Sequence, residues 1–269
     1  MMELFQNEID EICVSRVASD TNPGMKNFHY HDSYEIYYLV NGTRNYVIGD
    51  DYFSLVKGDM VLIKPGLLHK AAGKAYDRIV INFTPKYLNR FFTPEALSVL
   101  LKCFDGGKFV KIPFEYRTKI VGLLEKISGM LEEKEEFTFI YLTEFLSCIS
   151  DIKQEQDYDS GNHIDDERLI AKILHYINKN YAEIENISQI SDKFFITKFH
   201  LCRIFKEATN TSVIEYLNRV KIKKACSLLE KTNKTVLEIC VMCGFNSSVY
   251  FCKLFKKLMN VTPSQYRKI

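Results

Sequence analysis

The spacing of hydrophobic positions changes twice along this chain. Between residues 34 and 83 they alternate or run in short blocks, and "YEIYYLV", "TRNYVI", "YFSLV" and "MVLIKPG" read as strands. Asn41-Gly42 predicts a hairpin after the first, and Lys57-Gly58-Asp59 a turn before the last. Strands this short and this close predict a barrel or sandwich. A helical period takes over in residues 115–152. After a polar stretch, 153–167, without any apolar period, it returns for the rest of the chain.

The last hundred residues contain one passage written twice. "LCRIFKEATNTSVIEYL", residues 201–217, reappears as "FCKLFKKLMNVTPSQYR", residues 251–267. Cys202/Cys252, Phe205/Phe255, Lys206/Lys256, Asn210/Asn260 and Tyr216/Tyr266 are identical, and Phe195/Phe245 extends the match upstream at the same offset. Leu201, Ile204, Phe205 and Ala208 form a helical stripe, as do Phe251, Leu254, Phe255 and Leu258. Thr197 and Ser247 stand where N-caps are needed, and Asn210 and Asn260 suit a left-handed helix end. The opposite faces carry Phe199, Cys202, Arg203 and Lys206 in one copy and Val249, Cys252, Lys253 and Lys256 in the other. A shorter helical segment and a turn precede each copy, which describes two helix-turn-helix units. Residues 212–231, with Ile214, Leu217, Val220, Ala225, Leu228 and Leu229, predict a long helix between them. Such a helix would hold two recognition helices apart by about the 34 Å between successive major grooves.

Charge sharpens this division. Residues 1–167 hold 18 basic and 27 acidic residues, net −9, whereas residues 168–269 hold 18 and 7, net +11. A basic module on an acidic remainder points to a polyanionic partner for the former. A chain of 269 residues accommodates two domains. We place them at 1–155 and 168–269, with a linker at 156–167. The N-terminal "MMELFQNEIDEI" is acidic and no apolar run approaches a membrane span, so a cytoplasmic protein without membrane contact is expected. Eight irregularly spaced cysteines are expected to be reduced thiols. Cys240-x-x-Cys243 has redox spacing, but it falls on a helix where Cys240 fills a small buried position.

"VLEICVMCGFNSSVYFCKLFKKLMNVTPSQYRK" resembles the signature of the AraC/XylS family of bacterial transcription regulators. The residues that carry the likeness are Ile239, Gly244, Phe245, Tyr250, Phe251, Phe255, Lys256, Thr262, Pro263, Tyr266 and Arg267, with Cys240 in place of Ala and Asn210 and Asn260 in place of Gly. The resemblance implies a non-enzymatic regulator that binds double-stranded operator DNA. It assigns base reading to Phe199, Cys202 and Arg203 in the first unit and to Ser248, Val249, Cys252 and Lys253 in the second. Lys206 and Lys256 would touch phosphate, Arg203 suits guanine, and Phe199 and Val249 suit thymine methyls.

The acidic half contains "HYHDSYEIYYLVNG" and, downstream, "GDMVLIKPGLLH". His29 and His31 share a strand face, Glu35 shares their parity across a required bend, and His69 ends a later segment. This resembles the metal motif of cupin barrels, without the Asn that usually follows the final His. Three readings of His29, His31, Glu35 and His69 stay open: a divalent ion such as zinc, manganese or iron, a polar effector bound without metal, or mutual satisfaction. By the family resemblance the effector is a small molecule, a carbohydrate foremost, and no cofactor is required. Tyr37, Arg44, Tyr46 and Lys64 are weaker pocket candidates. The expected fold is α+β: a cupin-like β-barrel (jelly roll) with trailing helices, then an all-α domain of two helix-turn-helix units joined by a long helix. A homodimer and contact with RNA polymerase are further expectations. The competing class is a cupin-type metal-dependent enzyme, an oxygenase or isomerase, with an appended nucleic-acid-binding domain.

Overall fold

Two long strands, β2 (Tyr34–Ile48) and β5 (His69–Phe83), pair antiparallel over nearly their whole length and form the spine of the N-terminal half. The computed structural model describes residues 11–20, 27–133, 137–156 and 165–268. β1 (Ile12–Ser19) lies on the outer edge of β5. The other edge of β2 is shared: β4 (Asp59–Ile63) pairs with its first half and β3 (Asp51–Val56) with its second. β6 (Phe109–Lys111) completes the six-stranded sheet beside β4.

Asn41-Gly42 makes no hairpin. β2 runs straight through it, and the ladder with β5 shifts register between Leu39 and Asn41 and again between Gly42 and Arg44. Gly42 has φ +93°, and a Cβ there would meet the Ala75 carbonyl oxygen at 2.3 Å, so the bulge requires glycine. The turn falls instead at Gly49-Asp50, while the Lys57-Gly58 turn forms as expected between β3 and β4. The bulge also switches which residues point inward. Before it Tyr37 and Leu39 face the interior and Ile36 and Tyr38 face helices; after it Tyr46 and Ile48 face the interior and Val47 faces the other way.

Short helices α1 (Pro85–Leu88) and α2 (Pro94–Leu100) follow β5. The stretch 115–152 is two helices, α3 (Phe114–Glu133) and α4 (Thr138–Gln156), whose apolar faces cover Ile36, Tyr38, Ile79 and Ile81. Residues 157–164 of the expected linker lie outside the described residues, as do residues 1–10. Among the described residues no helix is long and apolar enough to cross a membrane.

The C-terminal part contains α5 (Asp165–Asn180), α6 (Ile187–Lys193), α7 (Lys198–Thr209), α8 (Val213–Lys231), α9 (Val236–Met242), α10 (Ser248–Met259) and α11 (Pro263–Tyr266). Thr197 and Ser247 cap α7 and α10 by accepting from the amides of His200 and Tyr250. Asn210 and Asn260 end them with φ +48° and +61°. Phe205 meets Tyr216, and Phe255 meets Tyr266, with the same 5.6 Å between ring centroids.

Two sequence expectations fail here. Ile214 is half exposed on α8, while Arg219 and Lys221 are buried through hydrogen bonds that satisfy their cations. Phe195 and Phe245 are also not counterparts. The N-caps of α6 and α9, Asn186 and Thr235, are 49 residues apart, but those of α7 and α10 are 50 apart. The second turn is therefore one residue longer, and the counterpart of Phe195 is Gly244.

Val47 and Leu68 of the sheet half, with Phe28 and Tyr30 before β2, join the same apolar core as α5, α7, α8 and α10. The back of the sheet is thus covered twice, by α3–α4 on one half and by the helix-turn-helix region on the other.

Candidate effector site and nucleic-acid interface

His29 and His69 are bridged through both backbone amides, at 3.1 and 2.9 Å, which brings their rings to 4.2 Å between centroids. His31, two residues on, places its ring 5.0 Å from that of His69. Glu35 enters from β2, and one ligating atom from each of the four residues lies within 4.8 Å of the others. The structure thus brings together all four residues selected from the sequence, including His69, whose reach depended on a long-range pairing.

Hydrogen bonds orient the rings. The Leu67 carbonyl can only accept, so His69 donates from Nδ1 to it at 2.8 Å and turns Nε2 inward. That Nε2 is buried, has no hydrogen bond, and stands 3.7 Å from Glu35 Oε2. His31 Nε2 stands 3.1 Å from the same oxygen, while its Nδ1 is held 2.9 Å from Ser33. Tyr46 donates to Glu35 Oε1 at 3.0 Å. Burial alone would raise the Glu35 carboxyl, but the hydrogen bond from His31 and the nearby imidazole of His69 outweigh it and hold the group well below its usual range. Burial, aided by neighbouring His69, pushes His29 down to about 3, so this ring is neutral with a lone pair to offer. Imidazole nitrogens and one carboxylate, oriented by outer hydrogen bonds and closing on an orphaned buried nitrogen, suit a divalent transition ion.

The weaker candidates separate. Tyr46 touches the cluster directly and was undervalued from sequence, because its inward aim depends on the parity switch at the bulge. Tyr37 packs edge-on against Tyr46 at 5.0 Å, Arg44 lies over the Tyr76 ring, and Lys64 is an exposed partner of Asp105. A cleft of about 620 Å³ lined by Asp50, Lys172, His175, Tyr176, Lys193 and Phe194 escaped the sequence reading, since its walls come from three distant segments.

On the other module, Phe199, Cys202, Arg203 and Lys206 are exposed along one face of α7, with Leu201, Ile204 and Phe205 buried behind them. Ser248, Val249, Lys253 and Lys256 are exposed on α10, and Cys252 is half-buried. Glu207, one turn on, pairs with Arg203 at 3.0 Å and pre-orients its guanidinium. Cys240 and Cys243 are both buried free thiols, and burial pushes Cys243 up to about 12, so neither offers a thiolate.

Comparison with known proteins matches both halves. Residues 15–92 fit the AraC-like ligand binding domain, and residues 190–269 fit a helix-turn-helix domain. The chain belongs to the AraC family of transcription regulators. Along its full length this AraC-family regulator is 23% identical to the uncharacterized HTH-type transcriptional regulator YdeC of Bacillus subtilis, covering 96% of that protein. It is 24% identical to the HTH-type transcriptional activator RhaR of Mannheimia succiniciproducens, over 89% of this chain and 86% of that protein. ToxT of Vibrio cholerae is a structural neighbour at 16% identity and a TM-score of 0.40, over 96% of this chain and 98% of that one. The relatives are named as regulators and activators, and the chain is accordingly a regulator rather than a cupin-type enzyme.

The two modules of this regulator meet beside the histidine cluster. Arg219 of α8 donates to the Phe28 carbonyl at 3.1 Å and to Asn27 Oδ1 at 2.5 Å. Tyr216 donates to the Gly49 carbonyl at 3.0 Å. Lys223 donates to the Gly66 carbonyl, and the Gly66 amide donates to the carbonyl of His31 at 2.8 Å.

Proposed function

We propose that this regulator binds operator DNA through the outward faces of α7 and α10, and that a small effector at His29, His31, Glu35 and His69 controls that binding. One observation carries the proposal: the backbone that presents the histidines also holds the DNA-binding module. Phe28 and Gly66, which receive Arg219 and Lys223, lie next to His29 and one hydrogen bond from His31. An effector that prefers one spacing of these strands thereby prefers one arrangement of α7 and α8. Phe199, Cys202, Arg203, Ser248, Val249, Cys252 and Lys253 are assigned to bases, and Lys206 and Lys256 to phosphate.

The effector class follows from the donors. Imidazoles and a carboxylate suit the hydroxyls of a carbohydrate, as the family resemblance suggests. The orphaned Nε2 of His69 favours a second reading, in which a divalent ion is held by the same four residues and ties residues 29–35 to His69. A homodimer and contact with RNA polymerase belong to the same proposal.

The test is a thermal-shift screen of the full chain against sugars and divalent ions, with and without chelator, followed by DNA binding with each stabilising compound. Effector-dependent affinity for a selected duplex is expected. Unchanged DNA affinity and unchanged transcription with a compound that demonstrably binds the cluster would sink the control mechanism.

A further inference from the structure

The two helix-turn-helix units place sharply different residues at one shared backbone position. Phe195 follows α6 with φ +55°, and Gly244 follows α9 with φ +71°. Each donates its amide three residues back, to Asp192 at 3.2 Å and to Val241 at 2.9 Å, and the next residue donates five back in both units. The turn is therefore built the same way twice, and it asks for a left-handed residue. Glycine meets that demand freely; a bulky L-residue there is an outlier held against its preference.

Among the described residues Phe195 gains no packing to offset this. Its ring is 95% exposed, whereas Phe194 before it packs edge-on against Tyr176 and Ile196 after it packs against the core. Phe199, one turn further on, is 80% exposed. Two aromatic rings thus project into solvent at the start of α7. Exposed Lys193 and Lys198 flank them, and Arg203 and Lys206 continue along the helix. Strain without packing is the mark of a residue kept for a contact outside the chain.

We infer that Phe195 is a DNA-contact residue whose ring packs against the duplex at the edge of the groove that α7 enters, extending the apolar surface begun by Phe199. The cations around it select a polyanion, and residues at the N-terminal end of a recognition helix are those brought to the groove. Phenylalanine offers no hydrogen bond, so the contact is with thymine methyl or deoxyribose carbon. The inference rests on the reading of α7 as a recognition helix.

The test uses the full chain and a duplex that the wild type selects from a random 30-base-pair library. Phe195→Gly supplies the residue that the second unit already uses, and Phe195→Asn is a second left-handed-tolerant variant. Both are expected to melt at or above the wild-type temperature while binding the selected duplex on the order of five- to tenfold more weakly. The slope of log affinity against log salt should stay at the wild-type value, because no charge is removed. Wild-type affinity in both variants would overturn the inference. So would a fall of several degrees in melting temperature in both, which would show that the ring packs within the protein. A wild type that selects no duplex would strike at the assignment of α7 itself, and Phe195 would fall with it.

Discussion

Lys70 donates its ammonium to the carbonyl of Asn210 at 2.9 Å, joining the residue after His69 to the left-handed cap that ends α7. A strand of the sensor and the tail of a recognition helix are therefore one hydrogen bond apart. In Lys70→Met the Asn210 carbonyl loses this donor, at an expected cost of about 1–3 kcal/mol. Amide hydrogen exchange in the last turn of α7 should accelerate. Wild-type exchange there would show that the link is not made in solution.

Lys223 gives a pH signature. Burial pushes its ammonium down to about 8, with neighbouring Lys224 adding to the push and Cys226 opposing it. An unfolded lysine titrates near 10.4, so between about pH 8 and 10.4 the unfolded chain keeps a proton that the folded chain has released. Stability should therefore rise with pH across that window. The quantity to measure is the wild-type urea midpoint minus that of Lys223→Met, which should grow from pH 7.5 to pH 10. A constant difference would contradict the burial of a charged Lys223.

For the histidine cluster, zinc at about a hundred times its dissociation constant should stabilise the full chain by about 2.7 kcal/mol, reversibly with chelator. Glu35→Gln and His69→Gln should each abolish the shift. If sugars stabilise the chain and zinc does not, the four residues act as hydrogen-bonding groups.

Arg203 and Lys206 of α7 should separate by salt dependence. Lys206→Ala should weaken binding evenly across sequences and lower the salt slope by about 1. Arg203→Ala should relax preference at one base pair, by about 1–3 kcal/mol, as read from a panel of single-base variants of the selected duplex. Loss spread over all positions would reassign Arg203 to phosphate.

Gly244→Ala tests the second turn. The added Cβ would come within 2.1 Å of the Ala182 carbonyl oxygen at φ +71°, so a cost of more than about 2 kcal/mol is expected. Gly66→Ala shares the positive φ, but its Cβ would meet nothing within 4 Å. The excess of the first over the second in urea melts measures the clash itself; equal costs would assign the whole effect to backbone conformation.

The C-terminal half was legible because its signals are local. Caps, left-handed ends and apolar stripes are each decided within a few residues, and Thr197, Ser247, Asn210 and Asn260 all serve as read. Phe195 misled because sequence alignment rewards identity, whereas the one-residue insertion in the second turn shows only in backbone hydrogen bonds. In the sheet, Asn41-Gly42 satisfies a bulge as well as a hairpin, and β5, more than thirty residues away, decides between them. Tyr46 owes its place beside Glu35 to that same bulge. Arg219 and Lys221 look like surface cations by residue type, and their burial is explained by the carbonyls of Phe28, Ile184 and Gly244 together with the side chains of Asn27 and Glu215.

The longer second turn makes the duplicated reader unequal to itself. α7 begins with Lys198 and Phe199 after a short turn, and α10 begins with Ser248 and Val249 after a longer one, on the same chain and joined by the same helix. With both helices reading bases as proposed, a palindrome cannot satisfy such a pair, so the DNA address read by one chain would have a head and a tail. Polarity on a promoter, which symmetric dimers must borrow from their surroundings, is here written into a single polypeptide.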